Sequence, residues 1–351
     1  MRDIINQKTL EIFYTGKFFE IPLYQRDYSW NDDNIDDLFE DINESIETKT
    51  NHYIGTFILS QKKEEGSYEI VDGQQRLTTL TMLLNLLINN LDSNNDKIIN
   101  REKFIHSDNK YRLELLNQNG RYFRDLLESK TPEPKNRSQK LLLKEYNYIE
   151  DRINVLKDCN SYSIKQWLDC IKRLEVMEFV ERDEGKAIRI FQTVNDRGKP
   201  LSNIEKAKSL LIYYSNRFLN GELDHKINNI FGKIFSNFNI VKEIAENKKI
   251  VHINNNNFNE DSVMKYHFLS FKNEKYDYKA TESYVLDTFL KGTLKSIKMN
   301  QEKLRDFIVS YISDLNEFFQ KFAQLLQKTD NKKYYKLFSI LDLSASSRLS
   351  N

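Results

Sequence analysis

Five consecutive residues, Asp72, Gly73, Gln74, Gln75 and Arg76, place a carboxylate, a glycine, two amides and a guanidinium directly ahead of the apolar run LTTLTMLLNLL. The β-rich YEIV precedes them, so the five sit where a strand turns into a helix. The first turn of a helix carries unpaired backbone N–H groups and the positive end of its dipole, which together attract anions. Arg76 adds a planar fork of donors that matches phosphate oxygens, and Gly73 lets backbone approach a ligand closely. Asp72 suits a divalent cation or a ribose hydroxyl, and the two glutamines suit a water or a base edge. An Asp-Gly turn with an ordinary salt-bridged arginine has the same residues, and spacing alone leaves both readings open. Neither a Walker loop nor the dinucleotide glycine pattern occurs in the chain.

Two further clusters carry chemistry. In EIPLYQRDYSW, Tyr24, Tyr28 and Trp30 interleave with Gln25, Arg26 and Asp27, alternating stacking surfaces with a base-reading amide and a phosphate-binding cation. Rings spaced in this way after a proline also suit burial in a core. In FQTVNDRGKPLS, Asn195, Arg197 and Gly198 form a polar turn at a helix start; such a turn reaches a phosphate or simply connects two helices.

The elements that must position these groups follow from periodicity. Ile35, Leu38, Phe39, Ile42 and Ile46 make one stripe of an acidic helix over 31–48, capped by Asn31 to Asp33. YIGTFILS and YEIV predict two strands joined as a hairpin through QKKEEG, and the next helix is expected to begin near Leu77. SKTPEPKNRS marks a connection; beyond it QKLLLKEYNYIEDRINVLKD and SIKQWLDCIKRLE have helical spacing, VMEFVE is a strand and GKAIRIFQTVN a helix. Ser202 with Glu205 forms a capping box. Three segments are expected: a core over 1–130, a helical segment with one strand over 131–218 that completes it, and a helical region over 219–351 whose uncapped end reads as a truncation.

Composition narrows the class. The 351 residues exceed what one core supports, and 53 Lys+Arg against 52 Asp+Glu exclude a global basic field, leaving any nucleic-acid contact to a local patch. Ten glycines and four prolines favour long helices. Cys159 and Cys170 lack the neighbours of a zinc site and read as reduced structural thiols, and the five histidines are scattered without metal spacing. Glu184 and Lys186 echo the tail of a nuclease core, but without an upstream acid they read as a solvated turn. No leader or apolar span is evident, which predicts a cytoplasmic protein without a membrane partner.

In their order, IPLYQRDYSW, YIGTFILS, VDGQQRLTTL and IFQTVNDRGKPLS resemble the N-terminal domain of the GmrSD-type restriction family, the ParB-like DGQQR proteins, over about residues 5 to 215. DSVMKYHFLSF is similar to a later helical stretch of the same family. The resemblance implies an α+β fold: a ParB/sulfiredoxin-like core with a small mixed sheet, followed by a mainly α-helical region. It implies an NTP (GTP, ATP, UTP or CTP) hydrolysed with Mg²⁺, in a phage-defence system that restricts modified DNA with an HNH-type nuclease domain or partner chain. A homo-oligomer is compatible with it.

Carried onto this chain, the resemblance makes Asp72, Gln75, Arg76 and Arg197 catalytic, with Asp72 also the metal ligand. Arg76 and Arg197 would stabilise γ-phosphate charge, and Gln75 would position the attacking water. Gly73, Gln74, Thr78, Asn195 and Gly198 would bind the nucleotide; Tyr24, Gln25, Arg26, Tyr28 and Trp30 would sense DNA or gate the pocket. Two departures stand out. NIEKAKS replaces the usual acidic-Leu-Ile-Lys helix start, and no HNH constellation occurs in these residues, so nuclease activity is not expected of them. The alternative is a nucleotide-responsive DNA-binding switch that does not hydrolyse.

Overall fold

The computed structural model describes residues 6–22, 25–159, 162–182, 202–255, 257–271 and 281–328. Two compact units divide the chain, Met1–Val194 and Asn195–Asn351.

The first unit is built on a six-stranded mixed sheet. Its strands are β1 (Asn6–Thr9), β2 (Phe18–Ile21), β3 (Tyr53–Gln61), β4 (Ser67–Asp72), β7 (Leu113–Leu115) and β8 (Glu175–Glu181), in the order β1-β8-β3-β4-β2-β7. A small separate ribbon pairs β5 (His106–Ser107) with β6 (Lys110–Tyr111). β3 and β4 pair antiparallel, as the hairpin reading requires, while β8 lies parallel to β3 and β2 parallel to β4. The expected mixed sheet is therefore present, and a strand far downstream of β3 completes its centre, a join that hydrophobic period alone cannot announce.

A short helix α1 (Leu10–Tyr14) leads from β1 toward β2 and buries Leu10, Phe13 and Tyr14. Helix α2 (Asp32–Thr48) buries Ile35, Leu38, Phe39 and Ile42, the predicted stripe, and opens on a capping box between Asn31 and Asn34. Helix α3 (Gln74–Asn89) is buried nearly all round, as a helix apolar on every face must be. Leu77, Leu80, Leu83, Leu84 and Leu87 are fully buried, and each contributes roughly 1.5–3 kcal/mol by leaving water. Its threonines stay inside by bonding locally: Thr78 donates to the Gln74 carbonyl at 2.8 Å, Thr79 to Gln75 at 3.1 Å and Thr81 to Leu77 at 2.8 Å. Helix α4 (Asn94–Phe104) packs on α3, and α5 (Gly120–Leu127) packs on the longer α6 (Arg137–Cys159). Helices α6 and α7 (Ile164–Arg173) also pack on α3, and the Trp167 ring lies 5.4 Å from Phe39. Cys170 is a buried free thiol, as its neighbours predicted, whereas the Cys159 side chain lies outside the described residues.

The second unit is mostly helical among its described residues. Helix α8 (Asn203–Leu219) is followed by α9 (Asp224–Asn247), α10 (Glu260–Ser270) and, after a π-helical turn at Val285–Leu290, the long α11 (Gln301–Gln327), which packs on α9. The predicted capping box at Ser202 and Glu205 forms. The backbone N–H groups of Asn203 and Ile204 both donate at 2.8 Å to the carboxylate of Asp261 on α10, and that of Glu205 donates to Ser202 Oγ. The leading donors of α8 thus all have acceptors. No helix among the described residues is long and apolar enough to cross a membrane.

Candidate functional site

Helix α3 begins at Gln74 rather than near Leu77, which places all of Gln74, Gln75 and Arg76 on its first turn. The cause is Gly73. Its φ of +95° ends the strand in the left-handed region, and a side chain there would bring a Cβ within 2.4 Å of the Phe57 ring. The Gly73 carbonyl accepts the Leu77 N–H at 2.9 Å, so helical bonding starts at once. The three preceding N–H groups, of Gln74, Gln75 and Arg76, have no acceptor among the described residues, and no side chain caps the turn.

The side chains of this turn have different fates. Gln74 is 8% exposed, its Oε1 is buried without a hydrogen-bond partner, and its amide makes no hydrogen bond among the described residues. Gln75, equally buried, commits its amide to backbone: the Ser29 N–H donates to Oε1 at 2.7 Å, and Nε2 donates to the Asp27 carbonyl at 3.1 Å. The task this geometry gives Gln75 is to hold a neighbouring segment. Arg76 lies across β3, donating to the Thr56 carbonyl at 3.3 Å, with its guanidinium 5.7 Å from the Phe57 ring centre. Among the described residues no carboxylate forms an ion pair with it. Burial lowers its pKa, and the nearby charges of Asp72, Tyr53 and Asp41 oppose that shift. Asp72, half-buried, is the last residue of β4 and pairs across to Ile58. Thr78 is buried, its hydroxyl on the Gln74 carbonyl.

The aromatic cluster folds as a strap over this turn. Gln25 donates through Nε2 to the carbonyl of Val71 at 3.0 Å, just before the turn, and Gln75 grips Asp27 and Ser29 just after it. Tyr28 is 6% exposed, its hydroxyl 2.7 Å from Thr79 Oγ1, and burial holds that hydroxyl well above the usual phenol pKa. Its ring is core, the second of the two readings its spacing allowed. Trp30 packs half-buried against the same core, and Arg26 is half-buried. Tyr24, Asn195, Arg197 and Gly198 lie outside the described residues.

Sequence reasoning passed over the residues that fasten the strap from behind. The Asp27 carboxylate accepts from Asn117 Nδ2 at 2.8 Å and Asn119 Nδ2 at 2.9 Å; Asn119 also donates to Ser138 Oγ at 3.1 Å and accepts from Asn136 Nδ2 at 3.2 Å. Asp27 was in view as a member of the polar-aromatic alternation, but its partners come from a turn ninety residues away and carry no local signal. Nearby, Glu145 on α6 is fully buried with Oε2 unpartnered; its other oxygen takes Lys144 at 3.1 Å, and Lys144 also pairs with Asp32. Burial pushes the Glu145 carboxyl up to about 7.

Chemically the turn is a helix N-terminus with three open donors, an unengaged amide and a guanidinium with donors to spare, beside one carboxylate. Such a set accepts an anion with several oxygens. Among the described residues no group of three His, Cys, Asp or Glu side chains could hold a metal by themselves.

The family model described as GmrSD restriction endonuclease, N-terminal domain, matches residues 1–212, a span that includes the turn, the strap and the start of α8. No curated protein matches the chain.

Proposed function

Because the chain belongs to the family of the GmrSD restriction endonuclease N-terminal domain, and so to a restriction-system family, we propose that its first unit binds and hydrolyses a nucleoside triphosphate with Mg²⁺ as the sensing component of modification-dependent DNA restriction. The cutting would come from an HNH-type nuclease domain or partner chain, and the chain would act on DNA in phage defence. The observation that carries this is the open first turn of α3: three N–H groups and the Gln74 amide have no partner there among the described residues, and unpaired donors at a helix N-terminus attract an anion.

In this reading the N–H groups of Gln74, Gln75 and Arg76 cradle phosphate oxygens, and the Arg76 fork takes the charge that develops at the γ-phosphate. Asp72 fits Mg²⁺, because that ion commonly takes one or two carboxylates and completes its shell with phosphate and water oxygens. Bound there, it would neutralise charge on the leaving diphosphate. Gln25, Asp27 and Gln75 act as a closure, fixing the strap on both sides of the turn and limiting water. Asn195, Arg197 and Gly198 enter on sequence alone.

One observation favours the second reading, a switch that holds NTP without turnover. With both ends of the Gln75 amide on backbone, the residue expected to orient the attacking water is already engaged.

Phosphate release by purified protein with Mg²⁺ and each NTP, with and without modified DNA, separates the readings. Hydrolysis that falls at least about a hundredfold in Arg76→Ala and Asp72→Ala supports the enzyme. Binding without release supports the switch, and turnover unchanged in both variants removes the site assignment.

A further inference from the structure

The Arg76 guanidinium lies where a side chain on residue 55 would be. A Cβ built on Gly55 would stand 2.5 Å from Arg76 Nη1, 2.7 Å from Cζ and 3.0 Å from Nη2, closer than real carbon contacts come. Gly55 itself has a φ of +119°, a backbone conformation that L side chains rarely adopt. The register between β3 and β8 shifts between Tyr53 and Gly55, so the strand carries a bulge or an irregularity at this point. Bulges re-aim strands where function needs it. At this point Arg76 donates to the Thr56 carbonyl, and its guanidinium fills the space beside the bare Gly55.

We infer that Gly55 is the positioning residue for Arg76: its missing side chain is the slot that seats the guanidinium between the Thr56 carbonyl and the Phe57 ring, and so aims the remaining donors. The inference rests on the reading of Arg76 as the phosphate-binding group. Two glycines then serve one purpose, Gly55 on β3 and Gly73 at the start of α3. Gly73 admits the Phe57 ring beneath the turn, and Gly55 admits the arginine over it. The nearest atoms a methyl at position 55 would meet belong to the far end of the Arg76 side chain, so the steric part of the cost falls on Arg76, while the backbone strain at this φ is the same whether or not Arg76 is present.

A double-mutant cycle on the full chain tests this, with Gly55→Ala, Arg76→Ala and the pair, read by thermal unfolding and by affinity for Mg²⁺ with a non-hydrolysable NTP analogue. Gly55→Ala should weaken nucleotide binding about tenfold in the parent and by less than about twofold once Arg76→Ala is present, since a displaced fork costs nothing when no fork is there. The drop in unfolding temperature caused by Gly55→Ala should likewise shrink in the Arg76→Ala background. Equal drops in both backgrounds would leave only backbone strain at Gly55 and would overturn the inference. Additive affinity losses would overturn it while leaving the nucleotide site standing. If the parent binds no NTP, the proposed function fails, and the unfolding cycle still decides whether Gly55 seats Arg76. A Gly55→Ala chain that folds only when Arg76 is also replaced supports it; one that folds equally well in both backgrounds refutes it.

Discussion

The side-chain oxygen of Gln75 takes the backbone N–H of Ser29 at 2.7 Å, and through that one bond the first turn of a buried helix holds a segment forty-six residues earlier in the chain. The same amide donates to Asp27, so a single residue satisfies two backbone groups. Gln75→Ala should therefore lower stability by about 1–3 kcal/mol, because it removes two hydrogen bonds to half-buried backbone, one to Ser29 and one to Asp27. Protease cleavage should appear between residues 25 and 30 well before global unfolding. A variant as resistant as the parent would show that the strap is held by something else.

Tyr28 divides a DNA-contacting strap from a structural one. With its ring in the core and its hydroxyl on Thr79, Tyr28→Phe should cost about 1 kcal/mol in denaturant unfolding and leave DNA affinity unchanged. Thr79 keeps its bond to the Gln75 carbonyl, so its own hydroxyl is not orphaned. A marked loss of DNA binding at unchanged stability would place the phenol at the nucleic acid instead.

The two units should answer pH in opposite directions. Glu145 has its carboxyl raised to about 7 by burial, facing Lys144, Asp32 and Tyr28, so the fold favours its protonated form. The stability this provides is complete below the ordinary glutamate pKa and is lost as pH rises through about 7. Glu145→Gln should remove that decline, making the first unit more stable than the parent by about 1–3 kcal/mol near pH 8.

His267 is the reverse case. Fully buried, with Nε2 2.8 Å from the Asp314 carboxylate, it has its pKa lowered by desolvation, which outweighs the acid beside it. A depressed histidine contributes stability above its unfolded pKa, lost as pH falls through the folded value. Hydrogen exchange of α10 and α11 should accelerate as pH falls below the ordinary histidine range, and His267→Gln should abolish that acid sensitivity.

Asp261 should matter more than an ordinary cap. Its carboxylate accepts both leading N–H groups of α8 from another helix while buried itself, so Asp261→Ala should cost about 2 kcal/mol by thermal unfolding. Asp261→Asn keeps one acceptor and should lose about half as much.

The features legible in the amino-acid order are local ones. The hydrophobic stripe of α2, the β3–β4 hairpin, the presence of α3 though not its first residue, and the Ser202 capping box are each written within a short stretch, because period, turn chemistry and caps act over that distance. So was the ordered set of motifs by which the family could be recognised. Which polar groups remain open was settled only by packing. Gln74 and Gln75 are adjacent and chemically identical, yet one amide is unengaged and the other is fastened to Asp27 and Ser29. Tyr28 became core, Gly55 lies against the Arg76 guanidinium, and Asp27 met two asparagines far along the chain. The physical reason is that burial and hydrogen-bond satisfaction depend on partners brought close by folding, and no residue's type or spacing records which partner will arrive.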